Sequence, residues 1–163
     1  MIGARNVKGG IVLLGVGLVA GLLMSLYAFK PMVPVPESLS HYDDLPRRLF
    51  RLAHIAAVML PLINIALGTW LDRLALSSRA KQLSGWLMLV GGIGLPLTLT
   101  VEALIPPLIS LHLSALPAIG FTWGVLMAGA GAMRTTFDEE GCHGASADGL
   151  QDGAQVLHES RRA

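Results

Sequence analysis

Charged side chains are scarce in this chain: Asp, Glu, Lys and Arg make up 14% of the 163 residues, and the formal net charge is only +1. With so little basic surface, and aromatics at 6%, it has neither the electrostatic footprint nor the stacking platforms that nucleic acid requires. Cysteine is nearly absent. Cys142 stands alone, which excludes an intrachain disulfide, a Cys-based zinc site and a CxxCH haem attachment. The sequence also lacks a phosphate loop, an HExxH pair, a nucleophile elbow and a dinucleotide fingerprint. Too little polar sequence is left for a conventional soluble active site, so an enzyme built on this chain would have to work inside a membrane.

What the chain has in quantity is apolar sequence, at 53% of residues, with a mean hydropathy of +0.60. Four stretches, at about 9–29, 49–71, 83–105 and 108–133, approach the roughly 20 residues that a ~30 Å hydrocarbon core demands of a helix. The expected fold is an all-α membrane protein: a four-transmembrane-helix bundle in residues 1–133, with proline kinks at Pro61, Pro96 and Pro117. A polar, Gly-rich tail, 134–163, is expected to be largely disordered. "KPMVPVPESLSHYDDLPRR" is too rich in proline to continue a helix between the first two spans. Pro106 and Pro107 predict a tight hairpin between the last two. Arg5 and Lys8 precede the first span, but its length marks a retained anchor rather than a cleaved signal.

Orientation follows from cations. With the N-terminus inside, eight Lys and Arg residues are cytoplasmic and four lie outside, which predicts N-in and C-in in a bacterial inner membrane. Gly17/Gly21 and Gly120/Gly124 form GxxxG pairs, read as packing seams within the bundle in preference to a dimer contact.

Ionisable groups inside such spans are costly and face the bundle interior or a cavity. His54 falls near the start of the second span, His112 near the start of the fourth, and Glu102 near the end of the third. Topology sets all three at one depth, roughly 6 to 8 Å below the same surface. Three chemistries could use that layer. His54 and His112 could ligate haem b between facing helices, with Arg47 and Arg51 at the propionates and Trp123 flooring the cavity. His54, His112 and Glu102 could hold a metal ion. A proton or solute pathway could run from Glu102 toward Asn64. Against these stand plainer roles: histidines at the interface, Glu102 paired with a loop arginine, and Asn64 bonding a neighbouring helix.

In architecture the plan resembles the four-helix, haem-bearing anchors of respiratory complexes. That resemblance implies a small accessory or anchoring subunit of a redox membrane complex. The partners expected are the lipid bilayer and other membrane subunits or further copies of the chain. A cofactor-free scaffold or assembly factor is the alternative.

Overall fold

A computed structural model of the protein describes residues 2–28, 34–40 and 44–135. Four helices are long and apolar enough to cross a membrane: α1 (Ile2–Ala28), α2 (Leu45–Leu71), α3 (Ser78–Leu104) and α4 (Ala115–Thr135). The protein is an all-α integral membrane protein. The tail beyond Thr135 and residues 41–43 of the loop between α1 and α2 lie outside the described residues.

Three helices run beyond their apolar stretches because polar side chains or proline secure their first turns. The Asp72 carboxylate accepts the Ile2 and Gly3 N–H groups at 3.1 and 3.3 Å, which satisfies orphan donors and sets a negative charge on the positive end of the α1 dipole. Ser77 caps α3 by accepting from the Ala80 N–H at 3.2 Å. Pro46 occupies the first turn of α2, where a missing N–H costs nothing. In the loop between α1 and α2, a short 3-10 turn (Glu37–Leu39) is tied to α2 by the Arg47 guanidinium, which donates to the Leu39 carbonyl at 3.2 Å.

The fourth span departs from expectation. Residues 108–114 are not its beginning: Pro106–Leu111 form a 3-10 helix, and His112 turns the chain with a left-handed φ of 47° before α4 starts at Ala115. The physical reason is local: Pro106 cannot extend α3 and pushes the residue before it, Ile105, out of helical backbone (φ −123°, ψ 79°), so the chain leaves α3 through a 3-10 turn before α4 can begin. The carboxylate of Glu102 then supplies the start signal for α4, accepting the Ser114 N–H at 2.9 Å and the Ser114 hydroxyl at 3.0 Å.

Burial is distributed as a lipid solvent dictates. Leu22, Val12 and Leu97 stand 72%, 67% and 60% exposed, while Asn6, Asn64, Ser84 and Glu102 are interior. Helices approach through small residues. A Cβ at Gly10 would come within 3.0 Å of the Pro61 carbonyl, and one at Gly17 would collide with the Ala57 carbonyl, so α1 and α2 touch backbone to backbone. Gly124 does the same for α4, where a Cβ would stand 3.0 Å from the Ser84 carbonyl of α3. Gly17, Gly21 and Gly124 thus serve packing within the chain, whereas a Cβ at Gly120 would meet only the tip of Leu87 at 3.8 Å. Polar bonds tie the same helices: Asn6 Nδ2 donates to the Gly85 carbonyl at 2.9 Å and to Asn64 Oδ1 at 3.3 Å, and Asn64 Nδ2 donates to the Met88 carbonyl at 3.0 Å.

Candidate functional site

Helix α2 packs along both α1 and α3, which meet each other over a far shorter stretch. A cleft of about 550 Å³ results, with α2 as its floor and α1 and α3 as its walls. That volume is ordinary for a small-molecule site. Small residues keep the space open: Gly17 and Ala20 on α1, Ala53 and Ala57 on α2, Gly92 on α3. Bulkier walls come from Leu13, Met24, Phe50 and Ile93. Val16, Leu23 and Leu97 line the cleft and remain 62%, 56% and 60% exposed, so it opens sideways toward lipid.

His54 is the single ionisable residue among the lining side chains. Helix α2 holds it half-buried, and Gly21 of α1 makes room for it: a Cβ there would overlap the imidazole. Nδ1 is shielded from solvent and has no hydrogen-bond partner. Such an orphaned nitrogen is costly in an apolar setting and marks a group that a ligand would complete. The other polar residue of the lining, Thr100, spends its hydroxyl on the Pro96 carbonyl at 2.7 Å. Asn64 lies just behind the wall, its Nδ2 2.8 Å from where a Gly92 Cβ would sit, and it is engaged in joining helices.

The residues singled out from sequence are only partly brought together. Arg47, Arg51 and His54 share the first turns of α2. His112 does not join them. It is exposed on the turn before α4 and is not among the residues lining the cleft. Trp123 stands 60% exposed and is also outside that lining, because the helical register that would align it with His112 begins only after the histidine. Glu102 is 3% exposed and committed to Ser114. Among the described residues no three His, Cys, Asp or Glu side chains converge as a metal site, so the structure does not bring His54, His112 and Glu102 together around one ion. Thr98, near Pro96, bonds back to the Gly94 carbonyl at 2.9 Å within its own helix.

Two residues escaped the sequence reading. Asn6 precedes the apolar run and so reads as lying outside the span. Gly21 is visible as half of a GxxxG pair, but its use emerges only from register: antiparallel α1 and α2 place Gly17 on Ala57 and hence Gly21, one turn further, on His54.

The architecture defines a class, a four-helix membrane protein with an apolar, laterally open cleft around a single histidine. Comparison with known proteins adds the family. The family model described as "SOI: Styrene oxide isomerase" matches residues 3–137, which take in all four helices. The chain belongs to the styrene oxide isomerase family. No curated protein and no solved structure is matched.

Proposed function

We propose that the protein is an intramembrane isomerase that rearranges apolar, aryl-substituted epoxides such as styrene oxide into their carbonyl isomers in the cleft around His54. The observation that carries this reading, beside the family match, is that the cleft offers one nitrogen-bearing group in an otherwise apolar chamber. The chemistry needs little more. The C–O bond to the ring-bearing carbon breaks with its electron pair staying on oxygen. A hydrogen on the neighbouring carbon migrates with its pair to the cationic centre, and the oxygen closes a C=O double bond. Every atom is retained and no oxidant or water is consumed. Water would in fact be harmful, because it would trap the cation as a diol, and the apolar walls exclude it. Phe50 lends the cleft an aromatic surface for a cation developing on the substrate.

The cofactor expected from sequence is part of the same proposal. An imidazole nitrogen without a partner, apolar walls and small residues on the facing helices suit haem b, with His54 as the ligand from this chain. When bound there, haem iron supplies a Lewis acid for an electron-rich oxygen. A role as a respiratory accessory subunit would draw on the same histidine, but its bis-histidine form needs His112, which lies outside the cleft. The isomerase reading is therefore the one proposed.

Purified protein in detergent, supplied with haem during expression, should convert styrene oxide to its aldehyde isomer and show a sharp α-band in a reduced-minus-oxidised spectrum. His54→Ala should lose both. Conversion retained in His54→Ala, or no conversion of any aryl epoxide by the wild-type protein, would overturn the assignment. Conversion with a flat spectrum would remove the haem and leave the isomerase.

A further inference from the structure

A second cavity, of about 650 Å³, lies along α1 and α3 toward the end of the bundle that carries the α1 N-terminus, with Arg5 and Lys8 at its rim. Arg5 is braced there. Its guanidinium carbon stacks 4.1 Å above the Trp86 ring, and Nη2 is 3.4 Å from where a Gly85 Cβ would sit, so the side chain is fixed between the two helices. Nε and Nη2 are nevertheless shielded from solvent and have no hydrogen-bond partner. With those two nitrogens closed off, the guanidinium charge is still unanswered by any described carboxylate, and an anion with several acceptor oxygens, such as phosphate, would compensate it from the cavity side. Lys8, one turn along α1 and exposed, adds a second charge.

Below the two cations the cavity is wholly apolar, walled by Val12, Leu13, Leu89 and Ile93. Leu13 and Ile93 also line the His54 cleft, so the two spaces share a wall, and this furrow reaches from the cationic rim into the hydrocarbon layer. An anion that is all headgroup would leave the furrow unused, and a neutral lipid would leave Arg5 unanswered. The surroundings favour negative charge: among the described residues at this end stand Arg5, Lys8, Arg73, Arg79, Lys81 and Arg134 against the single carboxylate of Asp72. That carboxylate is already occupied by the Ile2 and Gly3 N–H groups.

We propose that this furrow is a binding site for one anionic phospholipid, its phosphate held by Arg5 and Lys8 and one acyl chain lying between α1 and α3. The site stands independently of the chemistry at His54. Native mass spectrometry of the full-length protein, with phosphatidylglycerol or phosphatidylcholine added in detergent, tests it. Phosphatidylglycerol should remain bound and phosphatidylcholine should not. Removing cationic charge at a membrane surface weakens anionic lipid by roughly fivefold per residue, so Lys8→Gln should bind about fivefold and Arg5→Gln/Lys8→Gln about 25-fold more weakly. Arg79→Gln/Arg134→Gln, with the same change in net charge on exposed residues outside the cavity, should bind within about twofold of wild type. Lys8→Gln guards against misfolding, since its side chain is exposed. Equal retention of both lipids, equal losses in the two double variants, or displacement of bound phosphatidylglycerol by an equal concentration of inorganic phosphate would overturn the proposal.

Discussion

Replacing Asn64 by alanine removes the centre of the bond system that ties three helices together. The substitution deletes the donation to the Met88 carbonyl on α3 and the acceptor for Asn6 of α1, while the bond to Leu60 at 3.3 Å lies within α2 itself. Interhelical hydrogen bonds in membrane proteins average about 0.6 kcal/mol and reach about 1.7, so two of them amount to roughly 1 to 3 kcal/mol. The vacated volume of a fully buried side chain adds a cavity cost of the same sign. Asn6→Ala should cost less, because its Oδ1 is already buried without a partner and its single Nδ2 serves both bonds. A double-mutant cycle, read by reversible unfolding in bicelles, isolates the Asn6–Asn64 term, expected at about 0.6 to 1.7 kcal/mol. Zero coupling, or an Asn64→Ala protein as stable as wild type, would refute the view that this network holds the helices in place.

Other substitutions separate packing from the site. Gly21→Ala should displace the His54 ring and cost about 1 to 3 kcal/mol in unfolding free energy together with loss of styrene oxide conversion, whereas Gly15→Ala, where a Cβ meets nothing within 4 Å, should leave both intact. Glu102→Ala strands the Ser114 N–H at the start of α4 and should destabilise by about 1 to 3 kcal/mol, with Ser114→Ala milder because only the hydroxyl bond is lost; thermal unfolding in detergent reads the order. His112→Ala, on an exposed turn outside the cleft, should leave styrene oxide conversion and any visible spectrum unchanged, and a loss of either would bring that histidine back into the site.

The four spans were legible because hydrocarbon imposes length and composition on any helix that crosses it. The helix ends were less so. The beginnings of α1 and α4 depend on carboxylates far along the chain, Asp72 and Glu102, whose capping bonds leave no local signature. His54 could be singled out because an ionisable ring in apolar sequence is conspicuous. His112 looked equivalent by residue count, yet two prolines stretch the turn before it and leave it outside the helix. Asn6 was hidden by its neighbours: flanked by Arg5 and Lys8 it reads as a polar lead-in, and only the fold turns it inward.

The sideways opening between α1 and α3 alters what concentration means for this protein. An apolar molecule dissolves in the bilayer far more readily than in water, so the membrane acts as the reservoir from which the cleft fills. On the isomerase reading, encounter is then a two-dimensional search among lipid chains, and its rate follows the amount of substrate per lipid. On the same reading an oil-soluble product leaves by the same side door into the same phase, without crossing an aqueous layer at any stage.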